Sequence, residues 1–176
     1  VDIMIALDCS RSMLAQDIKP DRLSRAKREI IDLLKMMKSD RAGLVAFSGN
    51  AILQCPLTLD REAFHIFLNV LGPDYFSVGG TDIDAAIKAS ANGFEKDSDT
   101  EKAIILITDG ENTLGQAEET AKEMAQKNIK VFCVGVGDID GAPIPDENGG
   151  FKKDRSGNIV LSKVDEQGLK KIATIT

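Results

Sequence analysis

The sequence predicts an α/β fold: a doubly wound, mostly parallel sheet with helices on both faces, Rossmann-like, carrying a C-terminal β-hairpin insertion. Three observations predict it. Short apolar runs at residues 3–7, 42–47, 103–107 and 131–136 alternate with segments whose apolar residues recur at helical spacing. The runs are rich in Val, Ile and Leu, as strands covered on both faces are. Capping residues and Gly/Pro breaks separate the two kinds of segment. Strands that alternate with helices pair in parallel through right-handed crossovers, which places helices on both faces.

Each element has its own signal. Ile3 to Leu7 is a buried strand. Pro20-Asp21 starts a helix in which Leu23, Ala26, Ile30, Leu33, Leu34 and Met37 share a face, with Asp21 as N-cap. Ala42 to Phe47 is a second strand, and a Ser48-Gly49-Asn50 turn leads to a short third, Ala51 to Leu53. Asp60 caps a helix carrying Phe64, Phe67, Leu68 and Leu71, which Gly72-Pro73 stops. The Gly79-Gly80 loop precedes a helix with Ile83, Ala86, Ile87, Ala91 and Phe94 inward. Ala103 to Ile107 is the most apolar strand and is expected at the centre of the sheet. Ala117 to Lys127 reads as helix and Val131 to Val136 as strand. Asp138 to Gly150 reads as loop, and Phe151 to Val164 as a hairpin turning at Ser156-Gly157-Asn158. Asp165 caps a last helix.

Composition narrows the function. The 176 residues are 43% apolar and suit one domain with one core, 1–176. A formal net charge of −6 is the wrong sign for a nucleic-acid binder. No run reaches the roughly 18–20 apolar residues of a membrane span, and the N-terminus has no signal-peptide pattern. Both ends interrupt an element, so the reading is a fragment of a larger protein whose membrane segments lie outside it. Cys9, Cys55 and Cys133 are an odd number and match no zinc spacing.

Ligands on such sheets bind beyond the carboxyl ends of the strands. Asp8 ends the first strand there, Asp109 ends the strand 103–107, and Thr81 lies in a loop. Asp8-Cys9-Ser10-Arg11-Ser12 has the form D-x-S-x-S. With Gly80-Thr81-Asp82 and Thr108-Asp109-Gly110, it resembles the metal-ion-dependent adhesion site of von Willebrand factor A domains. The chemistry suits a hard cation such as Mg²⁺, which takes about six oxygens. Ser10, Ser12 and Thr81 are expected as direct ligands, and Asp8 and Asp109 as holding the ion largely through water. Mn²⁺ and Ca²⁺ suit the same donors. Two carboxylates leave a divalent ion under-neutralised, and the resemblance implies that a Glu or Asp of a protein partner completes the coordination. In some relatives ligand binding moves the last helix.

Taken singly, each piece has a plainer reading. Ser10 or Ser12 can cap a turn, Thr81 can cap the following helix, and Asp109-Gly110 can be a turn. Cys9 is expected to pack inward, and Arg11 to be a solvated rim charge. The cluster Arg22, Arg25, Lys27 and Arg28, with Glu29 and Asp32 in helical reach, reads as a solvated, partly paired face. Cys133 reads as a buried thiol and His65 as a structural residue of an apolar helix.

Enzymatic readings lack parts. A haloacid-dehalogenase-type phosphatase needs a second Asp where Ser10 stands, and a receiver domain needs an acidic pair. No nucleophile has a base beside it, and Gly135-Val136-Gly137 is a poor dinucleotide site. Two alternatives to a binding module stay open: a metal-dependent phosphoryl-transfer enzyme with Asp8 as nucleophile, and a scaffold with a lapsed site.

The C-terminal stretches Gly141-Ala142-Pro143-Ile144-Pro145, Gly149-Gly150-Phe151-Lys152-Lys153-Asp154, Gly157-Asn158-Ile159-Val160 and Asp165-Glu166 resemble the bacterial aerotolerance-operon (Bat) proteins. That resemblance implies a membrane-anchored protein of the bacterial inner membrane with this domain on the periplasmic side. It implies other Bat proteins or a MoxR-type AAA+ ATPase system as partners. Three thiols sit uneasily with an oxidising compartment.

Overall fold

The computed structural model describes residues 1–96, 98–111 and 116–176. Its main sheet has the order β3-β2-β1-β4-β5. The strands are β1 (Asp2–Asp8), β2 (Arg41–Phe47), β3 (Ala51–Thr58), β4 (Lys102–Thr108) and β5 (Ile129–Gly135). β1 pairs in parallel with β2 and β4, and β4 with β5, whereas β3 returns antiparallel to β2. The middle position therefore belongs to β1, with β4 beside it, and not to β4 as its apolar character suggested. β3 also runs further than residues 51–53. It continues through Pro56, which a sheet edge tolerates because its missing N–H need not face a neighbour.

Alternate side chains of β1 feed two cores. Ile5 and Leu7 pack with Ala26, Ile30, Phe64 and Leu68 from helices α1 (Arg22–Met36) and α2 (Arg61–Asn69). Met4 and Ala6 pack with Ile83, Ile87, Ala121, Met124, Leu169 and Ile172. Those residues come from α3 (Ile83–Asn92), α4 (Ala117–Gln126) and α5 (Glu166–Ile175). Both faces of the sheet are thus covered, as the alternating pattern requires.

The expected caps are in place. Asp21 accepts from Ser24 N at 2.7 Å, Asp60 from Ala63 N at 2.9 Å and Asp165 from Gly168 N at 3.0 Å. Asp21 also accepts from Ser24 Oγ. Asp21→Ala is expected to cost about 1 kcal/mol in urea unfolding. A change below a few tenths would show that packing alone sets the start of α1.

The insertion is more irregular than a plain hairpin over 151–164. Two short strands, β6 (Ala142–Pro143) and β7 (Leu161–Ser162), pair antiparallel. Isolated bridges join Pro145 to Phe151 and Lys153 to Ile159. The 156–158 turn is where the sequence placed it, closed by the Asp154 N to Asn158 O bond at 2.8 Å. Residues 142–145 belong to the pairing as well, because Ile144 bonds to both Lys152 and Val160.

Three side-chain expectations need correction. His65 is exposed on α2, where its ring lies near Asn69, so it is no part of the core. Phe67 is likewise exposed. Cys133 is half-buried, because β5 is an edge strand.

A candidate cation site at the carboxyl ends of the strands

β1 ends by delivering Asp8 to the sheet rim with no exposed surface. Its Oδ1 accepts from Ser10 N at 2.8 Å, and its Oδ2 accepts from Thr108 Oγ1 at 2.6 Å. The first bond curls the chain after the strand. The curl continues into a single 3-10 turn, Arg11–Leu14, in which Ser10 makes no side-chain cap. The capping reading of Ser10 therefore fails. Instead Ser10 Oγ and Ser12 Oγ lie 2.9 Å apart, both residues buried. Cys9, between Asp8 and Ser10, points into the core, and burial pushes its thiol up to about 12. It is a poor ligand for a hard ion.

β4 delivers Asp109, also without exposed surface. Asp109 Oδ1 accepts from Glu111 N at 3.2 Å, and Oδ2 accepts from Arg22 Nη1 at 3.2 Å and Ser162 Oγ at 3.1 Å. Gly110 follows with φ +83°, a left-handed turn that a side chain resists, and its N–H returns to Thr108 Oγ1 at 3.0 Å. Thr108 thus holds Asp8 and closes this turn.

Thr81 is 3% exposed. Its loop is tied to the end of β2, where Ser48 Oγ donates to Gly80 O at 2.9 Å and Asp82 N donates to Ser48 O at 2.7 Å. Asp82, not Thr81, caps α3 by accepting from Ala85 N at 2.9 Å. The end of β2 adjoins that of β1, since Asp8 is in register with Phe47. Asp8, Ser10, Ser12, Thr81 and Asp109 thus all sit, buried, at the ends of neighbouring strands.

Arg11 is engaged rather than free: its guanidinium lies 3.3 Å from Asp74 and also pairs with Glu147 of the insertion. Arg22 is the larger surprise. It sits with no exposed surface, not on the solvated face that its basic neighbours suggest. Arg25 does behave as expected, pairing with Glu29 on the surface. Arg22, Ala26 and Ile30 share the apolar stripe of α1, and that spacing was the available signal. Sequence reasoning also missed Asp17, Ser48 and Ser162, and gave no role to Thr108.

Burial is the main force that raises the Asp8 carboxyl above its ordinary range, and the charge of Asp109 adds to it. Two buried carboxylates repelling one another beside paired hydroxyls form a donor set of oxygens alone. That set fits Mg²⁺, Mn²⁺ or Ca²⁺. Among the described residues no group of three or more His, Cys, Asp or Glu stands ready for a metal, so hydroxyls would have to carry the coordination.

Comparison with known proteins shows the family and the fold. Residues 3–112 match the family model of the von Willebrand factor type A domain. An aerotolerance-related membrane protein from Bacteroides fragilis is 42% identical, with a TM-score of 0.95 over 99% of this chain and 87% of its own. The conserved hypothetical protein BatB from Bacteroides thetaiotaomicron is 41% identical at TM-score 0.95, over 99% and 86%. Proximal thread matrix protein 1 of the mussel byssus, solved with a zinc-occupied adhesion motif, is 18% identical at TM-score 0.66, over 76% and 35%, and shares the fold. The chain spans 40%, 52% and 65% of the lengths of three curated relatives that it matches at 27–29% identity.

Proposed function

This chain belongs to the von Willebrand factor type A domain family, alongside the bacterial aerotolerance-related (Bat) proteins, and from that premise we propose that it is a divalent-cation-dependent protein-binding module. The observation that carries the reading is the Ser10–Ser12 hydroxyl pair, 2.9 Å apart, on the turn that follows the fully buried Asp8, with Asp109 fully buried at the end of the adjoining β4. Ser10, Ser12 and Thr81 would hold Mg²⁺, or Mn²⁺ or Ca²⁺, directly, and Asp8 and Asp109 largely through water. The bound ion would supply an electrophilic position for a Glu or Asp of the partner. The site favours this because one of its two negative charges is already partly spent: Asp109 bonds to Arg22 at 3.2 Å. A divalent ion there is under-neutralised.

A non-enzymatic role fits the surroundings. His65 is exposed on α2, and the Cys9 thiol is held protonated by burial. Phosphoryl transfer by Asp8 is disfavoured because both its oxygens are engaged, one by Ser10 N and one by Thr108. Among the described residues no helix is long and apolar enough to cross a membrane. A periplasmic position at the bacterial inner membrane is part of this proposal, and the Bacteroides relative, described as a membrane protein, supports its membrane attachment alone. Other Bat proteins or a MoxR-type ATPase system are the partners to try first.

Calorimetric titration of Mg²⁺ and Mn²⁺ into metal-stripped protein tests the reading. One-site, saturable binding is expected, abolished in Ser10→Ala/Ser12→Ala and in Asp109→Ala. Absence of binding at millimolar concentration would instead favour a scaffold with a lapsed site. Turnover of p-nitrophenyl phosphate that Asp8→Asn abolishes would favour the enzyme.

A further inference from the structure

We propose that Arg22 is a built-in counter-charge of the cation site: it holds Asp109 in place, lowers the site's affinity for the bare cation, and is itself restrained by Asp17. This rests on the cation-site reading above.

Its guanidinium is fully buried, yet every nitrogen has a partner. Nε donates to Asp17 Oδ1 at 2.9 Å and Nη2 to Asp17 Oδ2 at 2.8 Å. Nη1 donates to Asp109 Oδ2 at 3.2 Å and to Ser162 Oγ at 2.8 Å, and Nη2 also reaches Ser162 O at 3.1 Å. The contact with Asp17 is bidentate and short, whereas that with Asp109 is single and longer. Asp17 thus takes the larger share of the cationic charge, and Asp109 keeps enough negative charge to serve a metal ion. The same Asp17 Oδ2 accepts from Asp138 N at 2.7 Å, just after β5. The insertion, through Asp138 and Ser162, is thereby tied to the guanidinium that touches the site.

A buried arginine that only held the fold together would be indifferent to the sign of a charge change around it. A counter-charge is not. In Arg22→Gln the positive charge is gone while a donor remains, so Mg²⁺ should bind more tightly. In Asp17→Asn the restraint on Arg22 is gone, its charge falls more fully on Asp109, and Mg²⁺ should bind more weakly. At the effective dielectric of such sites each change is worth roughly tenfold in Kd. Arg22→Lys loses the forked geometry but keeps the charge, so it should not tighten Mg²⁺ binding as Arg22→Gln does.

The experiment is Mg²⁺ and Mn²⁺ calorimetry on wild type, R22K, R22Q and D17N, each checked for folding by circular dichroism. Opposite displacements of R22Q and D17N, with R22K no tighter than the wild type, are the expected result. Binding by the wild type with both variants weakened alike, or both unchanged, overturns the counter-charge and leaves the cation site standing. A wild type that binds neither ion overturns the cation-site reading and this inference with it. If R22Q does not fold, R22K and D17N decide: D17N at or above the wild-type affinity overturns the proposal.

Discussion

Gly137→Ala is expected to destabilise the domain by about 3 kcal/mol, which for a chain of this size lowers the melting temperature by roughly 6–12 °C. Gly137 has φ +138°, a conformation that L side chains rarely adopt, at a cost of about 1–2 kcal/mol for a residue with a Cβ. The added methyl carbon would also lie 2.6 Å from both Cζ and Nε of Arg22. The far end of an arginine usually swings aside, but this one is buried and bonded to Asp17, Asp109 and Ser162. Moving it would leave the buried Asp109 carboxylate short of a partner, so overpacking adds about 1–3 kcal/mol. Gly157→Ala provides the control. Gly157 also has a positive φ, +84°, but its Cβ would meet nothing within 4 Å. That variant should lose only the conformational part. Equal losses in the two variants would show that contact with Arg22 contributes nothing, and would weaken the case that the guanidinium is rigidly held.

The same glycine shows where the sequence was legible and where it was not. The backbone plan followed from local signals. The strand positions, the caps Asp21, Asp60 and Asp165, and the turn at 156–158 each depend on residues within a few places of one another. The candidate site residues were legible because the D-x-S-x-S run, the Gly-Thr-Asp loop and the Thr-Asp-Gly strand end are short, and the parallel sheet brings strand ends together. Long-range partners were illegible. Nothing near Arg22 in sequence announces Ser162, 140 residues away, or Asp109, 87 residues away. Its basic neighbours pointed to solvent instead. The insertion was misjudged for the same reason, since residues 142–145 find their partners across a loop and not in the adjacent run. Edge effects account for two further differences. β3 continues past Pro56 and Cys133 is half-buried because each lies on an outer strand, and strand order is not written in any single strand.

Asp8→Asn should act in opposite directions on the metal-free and metal-loaded protein. Without an ion, the Asp8 carboxylate is buried and faces the charge of Asp109. Burying a charge with incomplete compensation costs stability, and the amide of Asn removes that charge at nearly the same volume. The amide can keep the bond from Ser10 N through its oxygen. Toward Thr108 its NH₂ must donate, so the threonine hydroxyl turns to accept. One rearranged hydrogen bond costs about 1 kcal/mol, less than the charge it replaces. The metal-free variant should therefore be more stable than the wild type by about 1–2 kcal/mol in urea unfolding. With saturating Mg²⁺ the order should invert. An ion that binds only the folded state stabilises it in proportion to its occupancy, about 2.7 kcal/mol at a hundred times Kd. The wild type gains this and the variant does not. Crossing stability curves, with Asp8→Asn ahead in chelator and behind in Mg²⁺, would mark Asp8 as a charge kept at a structural cost because the ion requires it. A variant that is less stable under both conditions would make Asp8 a purely structural acceptor for Thr108 and Ser10. The two carboxylates at the strand ends would then owe nothing to a cation.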